Sequence, residues 1–321
     1  MKDFEELTLE LTDCCPLHCL HCSSNSSPEC KNCLPEDIIK NLIDEAVSLG
    51  VRKISLGGGE PTIAQSFGNV ISYLSQKKIS VEILTSGLTN FHRNIECFPD
   101  DFVRNFISYS AFKLIFSLYG STPEIHDLTT QIVGSFQASL QSIKKSLDAE
   151  INCELNYVPL RINKDCFEEL IDLANSLGIK KISILRFVPQ GRGHKNKDML
   201  EMSFEEEEAF VEKLLRLKKE SGIEIRTGSP FNSIIPVNNI PCRAGFAKLV
   251  VQANGNVLPC EVFKHHNRCN WKMSVYKHSL RDILQSRQIK ILESRLKKSN
   301  CFDCPIHSTL RRRQFEGVLN V

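Results

Sequence analysis

The stretch that decides the reading is Leu7–Ser24, LTLELTDCCPLHCLHCSS. LTLELTD alternates apolar and polar side chains, the period of a strand. Directly after it, Cys14, Cys15, Cys19 and Cys22 fall within nine residues, and Cys30 and Cys33 lie just beyond. Nothing nearby signals export. The opening MKDFEELTLE is acidic and lacks the apolar core of a signal peptide. No apolar run approaches the about 18 residues of a membrane span. The expected location is therefore cytoplasmic, where disulfides are uncommon. Cysteines at fixed spacing in such a compartment read as metal ligands or redox groups rather than as staples.

The chain has 321 residues, 14 of them cysteine, with a formal net charge of +2. That length allows one large domain and a smaller one. The near-neutral balance gives no field to steer the whole chain to nucleic acid or membrane, and neither is expected as a partner. A strand–helix rhythm fills about the first 190 residues. The strands are LTLELTD, VRKISLGGGEP, SVEILTSG, FKLIFSLYG, INCELNYVPL and KKISILRFVP. Amphipathic stretches such as PEDIIKNLIDEAVSLG and KDCFEELIDLANSLG lie between them. Such repetition means an α/β chain with a parallel sheet and ligands at the carboxyl ends of the strands. The natural closure is a partial (β/α)6 TIM barrel; an open doubly wound sheet is the alternative, and periodicity does not separate them. PQGRGHKNKD reads as a polar loop, followed by the acidic helix SFEEEEAFVEKLLRLKKESG and the short strand IEIRTG. From Pro241 the texture changes. FAKLVVQANGNVLPCEVF reads as a hairpin turning at Asn254-Gly255, before the helical stretch SLRDILQSRQIKILESRLKK and CFDC. The expected division is a barrel over 1–195, a connecting helix and strand over 196–240, and a small α+β domain over 241–321.

Cys15, Cys19 and Cys22 form Cx3Cx2C. Three thiolates on one tight loop can hold three irons of a 4Fe–4S cluster and leave the fourth iron open to a small molecule. A structural zinc would want a fourth ligand, which His18 or His21 could supply. SLGGGEP, Ser55 to Pro61, ends the second strand. Its glycines let the backbone approach a ligand closely, and Glu60 can accept hydrogen bonds from an ammonium. A Cx3Cx2C after the first strand with GGGEP after the second resembles the radical S-adenosylmethionine (SAM) superfamily.

The resemblance implies that Cys15, Cys19 and Cys22 ligate a 4Fe–4S cluster whose open iron is chelated by SAM. Gly57, Gly58, Gly59 and Glu60 would line the methionine end. Reductive cleavage would give a 5′-deoxyadenosyl radical that abstracts hydrogen from substrate. His21 stands where the family usually has an aromatic residue against the adenine, and an imidazole can still stack. LTSG (Leu84–Gly87) and FSLYG (Phe116–Gly120) occupy strand ends that usually contact SAM. Ser86, Ser117 and Asn156 are candidates for its ribose or carboxylate, and Arg186 in RFVPQGRG for its carboxylate. Cys14 reads as a small buried non-ligand.

Cys242 and Cys260, then Cys301 and Cys304, form a second set. By spacing alone, four thiolates hold zinc or a 4Fe–4S cluster equally well. The resemblance extends to the twitch domain, a shortened SPASM domain, and implies an auxiliary 4Fe–4S cluster ligated entirely by protein and suited to electron transfer. Cys30 and Cys33 have no clear partner pair. Cys97, Cys153 and Cys166 read as packed residues, and Cys269 is the candidate hydrogen donor to a substrate radical. Arg311–Arg313 reads as solvated surface.

The expected function is maturation of a ribosomal peptide by cross-linking, epimerisation or thioether formation. SLYGSTPEIHD with GSF looks most like peptide maturases. The alternatives are an aminocyclitol or sugar dehydrogenase or epimerase, and a non-catalytic Fe–S or zinc protein. Expected partners are a peptide or small-molecule substrate and a flavodoxin- or ferredoxin-type reductant. The first strand begins so early that no fused N-terminal recognition domain is expected, so a separate peptide-recognition protein is added.

Overall fold

The sheet is built strand by strand in sequence order, and it does not close. The computed structural model describes residues 4–89, 95–107, 112–235, 238, 240–264, 271 and 273–298. The first half comprises β1 (Glu6–Thr12), α1 (Glu36–Ser48), β2 (Lys53–Gly58), α2 (Phe67–Ser75), β3 (Ser80–Thr85), α3 (Asp100–Ile107), β4 (Phe112–Ser117), α4 (Pro123–Thr130), α5 (Ser135–Asp148) and β5 (Asn152–Tyr157). The second comprises α6 (Phe167–Leu177), β6 (Lys181–Ile184), α7 (Arg192–Lys195), α8 (Lys197–Leu200), α9 (Phe204–Glu220), β7 (Glu224–Thr227), β8 (Lys248–Val251), β9 (Val257–Leu258), α10 (Leu280–Gln285) and α11 (Arg287–Lys298). The strand order is β7-β6-β5-β4-β3-β2-β1-β8-β9. A doubly wound sheet would reverse direction in the middle. Here β1 to β7 march one way, as a partial barrel requires. Among the described residues no helix is long and apolar enough to cross a membrane.

The sheet has two chemically different faces because side chains alternate along each strand. One face, with Leu7, Leu9, Leu11, Ile54, Leu56, Val81, Ile83, Leu114, Phe116, Leu155 and Ile182, merges with the apolar stripes of the helices into the main core. The other carries polar residues in register: Thr8 beside Ser55, Ser55 beside Glu82, Glu82 beside Lys113, and Ser117 beside Asn156. Lys53 and Lys113 bridge the carboxylates of Glu6, Glu82 and Glu154 across this face. The interior of the partial barrel is therefore polar and charged, and the helix-covered side is apolar.

Three local readings change. PQGRGHKNKD is not simply a loop: it holds α7 and the first half of α8, four residues each and too short to show a helical period. The helical stretch after residue 279 is two helices that meet at Ser286. The hairpin assigned to the 241–321 unit belongs to the barrel sheet. Its first strand, β8, pairs in parallel with β1 from Glu6↔Lys248 to Leu9↔Val251. β1 would otherwise present an open edge, and its Leu7 and Leu9 meet Leu249 and Val251 in register.

Candidate active site at the cysteine loop

The cysteine loop leaves the carboxyl end of β1 and is bonded on three sides. On one side, the N–H groups of His18 and Leu20 donate to Thr130 O at 3.1 Å and Thr129 O at 2.9 Å. These carbonyls end α4 and have no partner within the helix. On the second side, Arg192 donates from Nε to Cys19 O at 2.9 Å and from Nη2 to Ser26 O at 2.5 Å. Its own N–H reaches Cys22 O at 3.0 Å, and Asn196 Nδ2 donates to Leu20 O at 3.0 Å. On the third side, Gly59 N–H donates to Thr12 O at 2.7 Å and Glu60 N–H to Cys14 O at 2.9 Å.

This last contact explains the glycines. A Cβ on Gly59 would stand 2.0 Å from Cys14 O, and one on Gly58 2.2 Å from Thr12 O. A Cβ on Gly57 would meet nothing closer than a Leu84 side-chain carbon at 3.5 Å. Gly58 and Gly59 are thus demanded by the cysteine loop itself, whereas a Cβ on Gly57 would make only ordinary contact with Leu84.

Burial pushes the Cys15 thiol well up, and the Cys19 and Cys22 thiols and Glu60 push it further. Burial likewise takes Cys19 to about 12, with Cys22 adding and Arg192 opposing. Cys15 and Cys19 pack in one small cluster with Leu17, Leu88 and Ala138, and both lie within electrostatic reach of Cys22. Three soft donors that repel one another as thiolates suit a cationic iron–sulfur group. Among the described residues no three His, Cys, Asp or Glu side chains close around a single ion. A cubane binds its thiolates at separate corners and holds them farther apart than one ion does. His18 is exposed. The His21 ring packs edge-on against Tyr119, centroids 4.4 Å apart at 74°. His21 Nδ1 is buried with no partner. Burial first, then Arg192 and His126, lower its pKa to about 4, so the ring is neutral. A neutral ring with a free nitrogen beside the thiols fits a nucleobase edge.

Glu60 is occupied. Its Oε1 accepts from Thr62 Oγ1 at 2.8 Å and Thr85 Oγ1 at 2.7 Å, and its Oε2 from Ser86 N–H at 2.7 Å and Ser86 Oγ at 2.6 Å. It is fully buried. The carboxylate expected to meet an ammonium instead ties the end of β2 to the end of β3, and the Ser86 hydroxyl is spent on it. Ser117 and Asn156 stand side by side at the ends of β4 and β5, half-buried on the polar face. Arg186 is also committed elsewhere. It donates to Glu207 Oε1 at 2.9 Å and Oε2 at 2.8 Å, to Pro230 O at 2.9 Å and to Ser233 Oγ at 3.1 Å. It braces β6 against α9 and is not left free for a ligand carboxylate.

Cys14 donates to Pro28 O at 3.4 Å, and Cys30 to Asn25 O at 3.6 Å. None of the described cysteines, Cys33 among them, forms a disulfide, and Cys153 and Cys166 are buried. In the C-terminal segment Cys242 and Cys260 pack against a small cluster of Ala244, Phe263, Leu292 and Leu296. Cys260 Sγ donates to Glu261 Oε2 at 3.2 Å, and Glu261 pairs with Lys248 at 2.8 Å. Cys269, Cys301 and Cys304 lie outside the described residues.

Sequence reasoning passed over Arg192, Asn196, Tyr119 and His126. The signal for the first was GRG: a Cβ on Gly191, at φ +55°, would stand 2.6 Å from Cys22 O. For His126, the ring Nδ1 accepts from Tyr119 N–H at 3.1 Å, a contact with no local pattern.

A family model of the radical SAM superfamily matches residues 9–174, and one of the SPASM iron–sulfur cluster-binding domain matches residues 242–305. The first match implies a 4Fe–4S cluster with SAM, which the Cys15, Cys19 and Cys22 thiols fit, and the second an auxiliary Fe–S group, for which the described residues bring together Cys242 and Cys260. Mycofactocin maturase MftC of Mycolicibacterium smegmatis is 25% identical over 268 residues, 81% of this chain and 64% of its own length. PqqA peptide cyclase of Rhizobium meliloti is 24% identical over 264 residues, 78% of this chain and 66% of its own. The crystal structure of Streptococcus suis SuiB bound to precursor peptide SuiA matches with a TM-score of 0.71 at 18% identity, over 96% of this chain and 67% of that one. The chain thus spans about two thirds of the length of these relatives.

Proposed function

The chain belongs to the radical SAM superfamily, and we propose that it uses SAM to abstract hydrogen from a ribosomally made peptide and so mature it. The observation that carries this reading is the convergence of the Cys15, Cys19 and Cys22 thiols on a loop bonded on three sides, at the mouth of a polar barrel interior. Cys15, Cys19 and Cys22 would hold a 4Fe–4S cluster, which would supply the one-electron reduction of SAM to methionine and a 5′-deoxyadenosyl radical. The chain's own residues do the rest. Gly57, the one glycine of the three whose Cβ would not press on the cysteine loop, would face the methionine end. Neutral His21 offers its ring and free Nδ1 to the adenine. Ser117 and Asn156 offer a hydroxyl and an amide to the ribose or carboxylate. Glu60 and Arg192 hold the loops that carry these groups, so that orientation is set before binding.

The peptide substrate is supported by the relatives' names: PqqA peptide cyclase, and SuiB, whose structure holds a precursor peptide. Cys242 and Cys260, with Cys301 and Cys304, would hold the auxiliary cluster as an electron carrier. A flavodoxin- or ferredoxin-type protein would supply the electron in the cytoplasm, and a separate recognition protein would present the peptide.

The test starts from anaerobically reconstituted protein. About eight irons are expected, falling to about four in the triple Cys15→Ala, Cys19→Ala, Cys22→Ala variant. Reduction in the presence of SAM should give 5′-deoxyadenosine, and a short peptide encoded beside the gene should lose hydrogen mass. Turnover of an aminocyclitol or sugar in place of any peptide would move the chain to the small-molecule dehydrogenases. Iron-free protein would overturn the assignment.

A further inference from the structure

Lys264 sits four residues after Cys260, yet its side chain reaches the other cysteine loop. That side chain is 6% exposed and forms an ion pair with Glu10, itself 7% exposed. The same Nζ donates to Ser24 Oγ at 2.6 Å. Glu10 lies on β1 just before the loop, and Ser24 follows Cys22 by two residues. Gln190, next to the Gly191-Arg192 clamp, donates its Nε2 to Val262 O. One short segment, residues 260–264, thus grips both flanks of the first cysteine loop. The Lys264 ammonium lies within electrostatic reach of the Cys22 thiol and of Glu261, as well as of Glu10. Other charges close by are Arg192, which faces Cys19, and the Lys248–Glu261 pair.

We propose that Lys264 is the latch between the two cysteine-bearing segments, and that its buried cation raises the reduction potential of the iron–sulfur cluster on Cys15, Cys19 and Cys22. The proposal rests on the cluster assignment above. A reduced cluster carries one more negative charge than an oxidised one. A fixed cation in a poorly screened position favours the reduced form, and a fixed anion disfavours it. Lys264 and Glu10 are such a pair, one of each sign. Removing the cation leaves Glu10 to act alone, and removing the anion leaves Lys264 to act alone. The two single variants must therefore shift the potential in opposite directions.

The experiment is an anaerobic dithionite titration of the reconstituted full chain, one electron per cluster, read by EPR on the signal that responds to added SAM. Iron content is taken first. Lys264→Met is expected to move the midpoint to a more negative value than wild type, and Glu10→Gln to a more positive one. The double variant Lys264→Met with Glu10→Gln leaves no buried charge unpaired and keeps the test open if either single variant loses iron; its midpoint should fall between the two shifts. A latch with a purely structural role would lower iron loading in both single variants without opposite shifts. Unchanged midpoints, or shifts of one sign, overturn the electrostatic role. Wild-type protein without iron overturns the cluster assignment itself, and the iron content separates that failure from the other.

Discussion

The two cysteine-bearing regions are held by different forces. The Cys15–Cys22 loop is fixed by hydrogen bonds to backbone carbonyls and by glycines with no room for a side chain. Beside it stand two neutral imidazoles, the half-buried His21 and the buried His126. The Cys260 turn is fixed by ion pairs, Lys248 with Glu261 and Lys264 with Glu10. The first region is thus coded by shape and the second by charge. Shape responds to added volume, and charge responds to the loss of a partner or of ionisation.

The largest effect should come from the second region. Lys264→Met leaves Glu10 buried and unpaired, and should cost about 4 kcal/mol in chemical denaturation. Adding Glu10→Gln should restore most of it; no restoration would mean that Lys264 acts by packing. In the first region Gly59→Ala should cost about 3 kcal/mol and release half of the iron, because its methyl group meets Cys14 O. Gly57→Ala, two positions away, should cost less than about 1 kcal/mol. Equal effects would show that clearance does not set the loop.

A smaller effect separates bracing from binding. Arg186→Gln should lose about 2 kcal/mol of stability through its bonds to Glu207 and Pro230. SAM affinity, measured by calorimetry, should stay at the wild-type value; a large fall would return Arg186 to the ligand. The smallest effects are in pH dependence, and the two regions titrate in different windows. Burial holds His126 at about 4, below its ordinary 6.5. The folded state therefore binds fewer protons, and stability is lost as pH falls from about 6.5 toward 4, by at most about 1.4 kcal/mol per pH unit. His21 is held at about 4 as well and shares this window, so His126→Asn, which keeps an acceptor for Tyr119 N–H, should reduce that limb of the melting curve without abolishing it. Burial opposes ionisation of Glu261, but Lys248 outweighs it and holds the carboxyl at about 2. Its contribution is present above about 4.5 and lost toward pH 2; because the side chain is 35% exposed, screening limits it to about 1 kcal/mol. Glu261→Gln should remove this acid limb and leave the His126 limb intact.

Much of this was legible in the chain. The six strands with helices between them, the cysteine loop at the end of the first and the glycine loop at the end of the second all follow from local period and spacing. The polar face was written in the alternation of Glu6, Thr8 and Glu10, although its ion pairs were not. The roles of Glu60 and Arg186 were not legible. A carboxylate and a guanidinium at strand ends suit a ligand as well as a neighbour, and only the positions of Thr85, Ser86 and Glu207 decide which takes them. Arg192 was hidden for the same reason, since its acceptors lie more than 160 residues away.

The sequence by itself determined the parallel α/β architecture and the place of the cysteine loop after the first strand, because both are written in local period and spacing. Only the tertiary structure decided that β8 closes the open edge of β1, that the glycines yield to Cys14 and Thr12, and that Lys264 joins the two cysteine segments. These depend on distant backbones meeting at a particular distance. No local periodicity encodes such a distance.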